Sequence, residues 1–323
     1  MVEENKDISI NTIENFEVAE YSLEMVGFPE LYRNLAKIIP IRNTAFDSIG
    51  FETAIACEVI CAAICHQINW DFLRNAVLEH TISNPTWIIP ENIRQVRTTD
   101  VYKILIKYDK PERLRAEERA KMLRSLGNTL YDLKCQYFEI FIDQKGNIRT
   151  KESIFRVLNS TFAFSGDPED KKIQLLIQNI SDYPKLSPLA VYSKPAIDYH
   201  IIRLYLRRGL IIPQNKEAID YIFSPDKQRT EKTVAAIRKM CSEVFDLINW
   251  LSKIDIKTIN SIEWWIGRSV CTRAFADCDL SITKTGWLRL SYEKCPFCES
   301  CHAYKYDSSY LTVSEPTYFG SSY

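Results

Sequence analysis

The chain is organised around the stretch Pro195-Ala196-Ile197-Asp198-Tyr199-His200-Ile201-Ile202-Arg203. Asp198 stands after a proline and two apolar residues, at the point where an apolar run with helical spacing begins. An aspartate in this position predicts a helix N-cap, because its side chain accepts backbone N–H groups that the first helical turn leaves unpaired. The positive end of the helix dipole favours the ionised carboxylate, so Asp198 is suited to face a developing cation. Alternatively, Asp198 only caps the helix.

Five cysteines follow in a short C-terminal segment, arranged as Cys271-x6-Cys278 and Cys295-x2-Cys298-x2-Cys301. The chain opens on polar and acidic residues without a secretory signal, so a reducing compartment is expected, where clustered thiols bind metal more often than they form disulfides. Four thiolates can hold a [4Fe-4S] cluster, and the Cys295-Pro296-Phe297-Cys298 knuckle also suits tetrahedral Zn2+. Cysteines that only fill a core are the third alternative.

Together the two segments resemble the helix-hairpin-helix (HhH-GPD) superfamily of base-excision DNA glycosylases, in particular the endonuclease III-like branch with an iron–sulfur cluster. In that family a Val-Asp-Thr-His-Val-type segment carries the catalytic aspartate, and residues 197–201 are similar to it. The family's cluster loop reads Cys-x6-Cys-x2-Cys-x5-Cys. Here Cys271-x6-Cys278 and Cys295-x5-Cys301 keep the outer spacings, 16 residues replace the middle two, and Cys298 is a fifth cysteine. The resemblance implies that Asp198 is catalytic and that these thiols hold a [4Fe-4S] cluster.

The hairpin region departs from this family. Asp167-Pro168 predicts a helix start with Asp167 as N-cap and Pro168 at the first helical position. The glycine-rich hairpin of the endonuclease-like branch is missing, and the segment is more similar to archaeal 8-oxoguanine glycosylases and queuosine-salvage glycosidases. By that comparison Lys171 falls on the Schiff-base lysine position; alternatively, it is a surface lysine. A glycine-rich hairpin presents N–H groups to a DNA phosphate, so its loss argues against ordinary duplex binding.

The remaining site candidates surround a turn and the Asp198 helix. His66 to Trp70 resembles the turn that offers a glutamine or asparagine to the DNA near the target base, which makes Gln67 and Asn69 candidate substrate contacts. Trp70 and Tyr199 are candidates to line a pocket for an extruded base. The alternative is a polar helix end beside a buried Trp70. Arginines that follow Asp198 form a partly basic face, which is expected to meet phosphate or solvent; they are Arg203, Arg207 and Arg208.

Composition favours a mainly α-helical protein, since only nine of 323 residues are glycine. The predicted architecture is a two-lobed helix-hairpin-helix glycosylase-type fold. It comprises an N-terminal arm (1–45), a helical barrel with the divergent hairpin (46–198), and a C-terminal helical domain with the iron–sulfur loop and a tail (199–323). A small β insertion is predicted at Gln136–Ile142, where residues alternate before the turn Asp143–Asn147.

The implied reaction is cleavage of an N-glycosidic bond, with Asp198 stabilising an oxocarbenium-like transition state and Lys171 available for lyase chemistry. The expected partner is DNA with a modified or damaged base. A free modified nucleoside or nucleotide is the alternative, and a non-catalytic nucleic-acid-binding protein is a third. The net charge of −1 weakens the case for duplex DNA, whose binding depends on phosphate neutralisation. No apolar run is long enough to span a membrane, so a cytoplasmic or nucleoid-associated monomer is expected.

Overall fold

The computed structural model describes residues 16–18, 28–39, 46–167, 169–224, 231–281 and 286–314. These residues are mainly α-helical, with one small two-stranded sheet. The α-helices are, in chain order, α1 (Phe28–Ile38), α2 (Phe51–Ile64), α3 (Trp70–Ser83), α4 (Pro90–Ile93), α5 (Thr98–Leu105), α6 (Ala116–Asp132), α7 (Lys151–Asn159), α8 (Lys171–Ile180), α9 (Tyr199–Arg208), α10 (Lys216–Ile222), α11 (Glu231–Ser252), α12 (Ile256–Ser269), α13 (Gly286–Arg289) and α14 (His302–Lys305). Short 3-10 helices lie at Pro85–Ile88, Pro111–Arg113, Tyr137–Ile140, Pro184–Tyr192, Cys298–Ser300 and Ser308–Thr312.

The sheet joins β1 (Phe16–Val18) to β2 (Ile211–Pro213) in antiparallel register. Two compact units make up the described residues. One lies within Arg42–Ala196, and the other combines residues of Met1–Ile41 and Ile197–Gly320. Of the helices in the described ranges, none has the length and apolar character needed to cross a membrane.

The unit within Arg42–Ala196 is built around α2. This helix is mostly apolar, and its residues from Ala54 to Ile64, Glu58 included, are all buried. A helix of this kind is stable only in a core, so α6 and α8 pack against it. Cys57 and Cys61 lie in that core, and Cys65 is half-buried at its end, as expected for small core residues.

The predicted strand at Gln136–Ile142 is wrong. Tyr137–Ile140 is a 3-10 helix, which starts with the Gln136 N–H donating to a Glu139 carboxylate oxygen at 2.6 Å. Tyr137 and Ile140, three residues apart, are both buried, and this spacing fits a helical turn better than a two-residue alternation. The turn Asp143–Asn147 is confirmed, since the Asp143 N–H donates to the Asn147 carbonyl at 2.8 Å. The β pairing that the structure describes beside this turn is an isolated bridge between Ile142 and Ile148.

The second unit is built around α9. Every residue from Ile201 to Arg208 is buried, and α9 packs against α11 and α12. Gly209 ends the helix with φ +71, a left-handed conformation that glycine adopts without strain. The helix α1 packs on α11 and α12 in the same unit.

Candidate functional site

Asp198 is the N-cap of α9, which confirms the prediction from its sequence position. Its Oδ1 accepts the backbone N–H groups of His200 at 2.9 Å and Ile201 at 3.1 Å. Among the described residues, Oδ2 has no hydrogen-bond partner. The side chain is 7% exposed. One carboxylate oxygen is therefore fixed by the first turn of α9.

The next turn of α9 ties Asp198 to the cysteine loop through Arg203. The Arg203 side chain donates from Nε to the Cys271 carbonyl at 2.9 Å and from NH2 to the Gly267 carbonyl at 2.6 Å. The same NH2 lies 3.0 Å from Nδ1 of His200. Since His200 also donates its backbone N–H to Asp198, one residue connects the capping carboxylate with the arginine.

Arg207 makes the second connection. Its Nε donates to the Val313 carbonyl at 2.8 Å, and NH1 donates to the Thr272 carbonyl at 2.7 Å. NH1 also lies 3.3 Å from the Cys271 sulfur. Arg207 therefore holds the start of the cysteine loop against α9.

Arg208 is the centre of a buried charged network. NH1 donates to both oxygens of Glu263, at 3.0 and 3.1 Å, and Glu263 also accepts from the Tyr32 hydroxyl. Its guanidinium carbon lies 3.7 Å from the ring centroid of Phe297, a residue of the cysteine loop. Burial raises the pKa of Glu263, and Arg208 opposes that rise. This network fastens α1, α9, α12 and the loop together.

The prediction that these three arginines meet phosphate or solvent is therefore wrong. Arg203, Arg207 and Arg208 are all buried. One feature of the sequence indicates this burial. Glu263 lies among the apolar residues Ile259, Ile262 and Ile266 of α12. A buried carboxylate requires a buried cation or donor elsewhere in the chain.

Hydrogen bonds connect several cysteines of the loop with one another. The Cys298 thiol donates to the Cys278 carbonyl oxygen at 3.7 Å, and the Cys295 N–H donates to the same oxygen at 2.7 Å. Cys301 is near enough to Cys271 and Cys278 for both to raise its pKa, although burial is the larger cause of its value of about 11. Within the described residues, no group of three or more His, Cys, Asp or Glu side chains is arranged to hold a metal ion.

Cysteine thiolates can bind either an iron–sulfur cluster or a zinc ion, and the two groups need different arrangements of the sulfur atoms. A zinc ion needs about four ligands at roughly 2.3 Å from one point. In a [4Fe-4S] cluster each thiolate binds a different iron, so the thiols need not converge. The hydrogen bond to Cys298 and then burial raise the pKa of Cys278, so thiolates in this loop require a neighbouring positive charge.

The turn after α2 is held by buried cations. Lys172 Nζ donates to the Ala63 carbonyl at 2.9 Å, and Arg119 Nε donates to the Ile64 carbonyl at 3.0 Å. These carbonyls lie at the negative end of the helix dipole, where cations are favoured. Burial lowers the pKa of Lys172 to about 8 and that of Arg119 to about 10. Two buried cations therefore hold the C-terminal end of α2, where this turn begins.

The three predicted contacts in this turn have distinct structural roles. Gln67 is half-buried and has φ +54, a conformation that is uncommon outside glycine. Asn69 caps α3, since its side chain accepts the Phe72 N–H at 3.1 Å. Trp70 is the first residue of α3, and the Arg74 guanidinium carbon lies 5.7 Å from its ring centroid. The local structure explains Asn69 and Trp70 without a substrate, and the substrate role of all three stays a prediction.

The helix start near Lys171 differs from the prediction. α8 begins at Lys171 with Asp170 as its N-cap residue, and Pro168 lies outside the described residues. The Asp167 carboxylate still accepts two backbone N–H groups, from Glu169 at 3.1 Å and from Lys171 at 2.9 Å. Lys171 is half-buried, whereas the neighbouring Lys172 is turned into the core. Of the two lysines, Lys171 is the one left as a candidate nucleophile.

Tyr199 is half-buried and begins an aromatic cluster in the second unit. Its ring centroid lies 4.1 Å from that of His200, which lies 6.4 Å from Trp264. Trp265 and Arg268 complete the cluster, with the Arg268 guanidinium carbon 4.6 Å from the Trp264 ring centroid. Flat aromatic and guanidinium surfaces of this kind can stack on a nucleobase.

The second unit therefore brings a capping carboxylate, an aromatic cluster and a cysteine loop onto one pair of helices, α9 and α12. A carboxylate with one oxygen fixed and one unengaged can stabilise positive charge or orient a water molecule. No protein-family model matches this chain, and a comparison with curated proteins finds no significant match.

Proposed function

We propose that this protein is an N-glycosylase that removes a modified or damaged base from DNA, with Asp198 as the catalytic carboxylate. The observation that carries the proposal is the N-cap geometry of Asp198, in which Oδ1 takes two backbone N–H groups and Oδ2 takes none among the described residues. A departing base leaves a sugar with oxocarbenium character, and a fixed carboxylate lowers the energy of that cation. The same carboxylate can orient the attacking water.

The proposal includes a [4Fe-4S] cluster in the loop from Cys271 to Cys301. The group would be structural, closing with iron–thiolate bonds a loop that has little core of its own. The other contacts that hold this loop are made by side chains of α9. Arg203 holds the Cys271 carbonyl and, through His200, the start of α9, so the loop supports the helix whose first turn positions Asp198.

A free modified nucleoside or nucleotide is the second candidate substrate, and one observation favours it. The N–H groups of Glu169 and Lys171, at the place of the family's phosphate-binding hairpin, are already taken by the Asp167 carboxylate. They are therefore not available to a backbone phosphate, and a negative charge stands in their place.

The test is to incubate the protein with oligonucleotides that carry modified bases and, separately, with free modified nucleosides, and to measure released base. Asp198→Asn should lower the rate by about 10²- to 10⁴-fold on whichever substrate class is used, because a neutral amide does not stabilise a cation. Asparagine caps helices as well as aspartate does, so the fold should be retained. Strand cleavage at the base-free sugar reports whether the Lys171 amine also acts.

Asp255→Asn is the matched control. Asp255 caps α12 in the same unit, and its Oδ1 accepts the Thr258 N–H at 2.9 Å. This variant should keep wild-type activity. Full activity of Asp198→Asn would remove Asp198 from the mechanism, and no release from either substrate class would leave the non-catalytic alternative.

A further inference from the structure

We infer that the aromatic cluster beside Asp198 binds unpaired bases of a single-stranded DNA, and that the adjoining face of α12 meets the phosphates of that strand. This inference rests on the proposed function, because it names the form of DNA that the same site accepts. The members of the aromatic cluster are Tyr199, His200, Trp264, Trp265 and Arg268.

The outer face of α12 combines flat side chains with positive charge. The helix buries Ile259, Ile262 and Ile266 on one side. A stripe of half-buried residues runs along the other side at the spacing of helical turns, and it consists of Lys257, Ser261, Trp264, Trp265 and Arg268. The acidic residue within this helix, Glu263, is buried and paired with Arg208. The charges that α12 places on its outer face are therefore positive, which suits a ligand that carries phosphate.

The flat groups of the aromatic cluster adjoin one another. The Arg268 guanidinium carbon lies 4.6 Å from the ring centroid of Trp264 and 5.8 Å from that of Trp265. The centroids of the two tryptophan rings are 5.2 Å apart, and the rings are inclined at 76°. His200 meets Trp264 edge-on with 6.4 Å between centroids, and Tyr199 lies 4.1 Å from His200. One extruded base needs a single pocket, whereas a series of flat groups offers places for more than one base.

Buried contacts between α9 and α12 hold the aromatic cluster in place. Nδ1 of His200 lies 3.0 Å from NH2 of Arg203, which donates to the Gly267 carbonyl at 2.6 Å. Because Gly267 has no side chain, the His200 backbone can lie directly against α12. Side chains that are already fixed lose little conformational freedom when a base stacks on them. Tyr199 directly follows Asp198, so the aromatic cluster begins one residue from the proposed catalytic carboxylate.

An unpaired strand fits this surface better than a duplex or a free nucleoside does. In a duplex each base face is covered by the next base in the stack, so only unpaired bases can lie against aromatic side chains. A free nucleoside or nucleotide offers a single base, which leaves most of the aromatic cluster unused. The Arg268 guanidinium suits both parts of a strand, because this group stacks on flat rings and also pairs with phosphate.

The test measures the binding of unmodified, fluorescein-labelled DNA of about 12 nucleotides to the full chain, as a single strand and as a duplex. The single strand should bind more tightly than the duplex. Trp264→Ala should weaken binding of the single strand by roughly 5- to 100-fold, which is the loss expected from one stacked base. Equal affinities of Trp264→Ala and the wild type, tighter binding of the duplex, or no measurable binding of the single strand overturns the inference.

Trp250→Ala is the matched control. Trp250 lies in the same unit and is 65% exposed, and Nζ of Lys253 lies 5.1 Å from its ring centroid. Loss of this tryptophan should leave the affinity for the single strand unchanged. Because the DNA is unmodified, the measurement does not depend on catalysis. Strand binding without base release from any substrate would overturn the proposed function alone, and base release with unchanged strand binding in Trp264→Ala would overturn this inference alone.

A second measurement uses the wild-type protein, since Trp264→Ala can also fail to fold. A single strand that contains 5-iodouracil is irradiated with the protein, and the crosslinked residues are located by peptide mass spectrometry. Crosslinks should lie at Tyr199, Trp264 or Trp265 and not at Trp250. An excess of unlabelled single strand should abolish them, and the same excess of duplex should have a smaller effect. Crosslinks that lie only outside the aromatic cluster, or none at all, contradict the inference.

Discussion

Three arginines on α9 are buried because each has backbone carbonyls or a carboxylate as partners. Arg203 and Arg207 donate mainly to carbonyl oxygens, and Arg208 donates to Glu263. Removing one partner of a buried charge costs about 3–5 kcal/mol, since the other partner is left without compensation. These partners therefore allow α9 to be buried, although arginine is a residue type that usually lies on the surface.

His66 gives the other unit a specific pH dependence. Its side chain is buried, and its Nε2 lies 3.5 Å from a Glu118 carboxylate oxygen. Burial lowers the pKa of His66 well below its ordinary 6.5, and the nearby cations Arg119, Lys172, Arg115 and Lys171 lower it further. In the unfolded chain His66 binds a proton below about pH 6.5, whereas in the folded chain it stays neutral. Stability from this group is therefore present above that pH and is lost as the pH falls.

The expected size of this loss is about 2 kcal/mol between pH 7 and pH 5. It is measured as the difference in the free energy of unfolding in urea at the two pH values. His66→Phe, which cannot titrate, should lose about that much less than the wild type over the same interval. Equal pH dependence in the two proteins would show that His66 is protonated in the fold or exposed.

At the level of helices, the contact between α9 and α12 depends on one glycine. A Cβ atom added at Gly267 would lie 2.7 Å from the His200 carbonyl oxygen, which is closer than such atoms approach. The absence of a side chain lets the two helices meet at the turn where Asp198, His200 and Arg203 are placed. The Arg203 bond to the Gly267 carbonyl lies in the same contact.

Gly267→Ala should therefore destabilise the protein by about 1–3 kcal/mol, because backbone must move to admit the methyl group. In an open helix position the same change would stabilise by roughly 1 kcal/mol, so the sign of the effect is diagnostic. Ser261→Ala on the same helix is the control and should be neutral or slightly stabilising. Urea unfolding measures both, and a stabilised Gly267→Ala would contradict the close contact.

For the whole molecule, a cluster bound by the loop would contribute folding free energy to the unit that contains the loop. The loop's described contacts run to α9 and to residues of α12, through Arg203, Arg207 and Arg208. Metal binding and folding are coupled where ligands come from a segment with few other contacts.

Removing the iron should accordingly increase amide hydrogen exchange in the loop from Cys271 to Cys301 and in α9 and α12. Exchange in α2 and α8 should stay unchanged, since these helices belong to the core of the other unit. Hydrogen-exchange mass spectrometry of loaded and iron-free protein measures this. Uniform changes along the chain would show that the cluster supports the entire fold, and no change would show that the loop is stable alone.

The sequence alone determined the features that depend on neighbouring residues. The mainly helical class, the cap at Asp198 and the turn at Asp143–Asn147 follow from helical spacing and local hydrogen bonding. The tertiary structure decided what depends on partners distant in the chain. The arginines of α9 are buried because Glu263 and the carbonyls of the loop are their partners. Residues 137–140 form a helical turn because Tyr137 and Ile140 are buried together. Folding brings such partners together from distant parts of the chain, and local sequence patterns do not show which distant residues will meet.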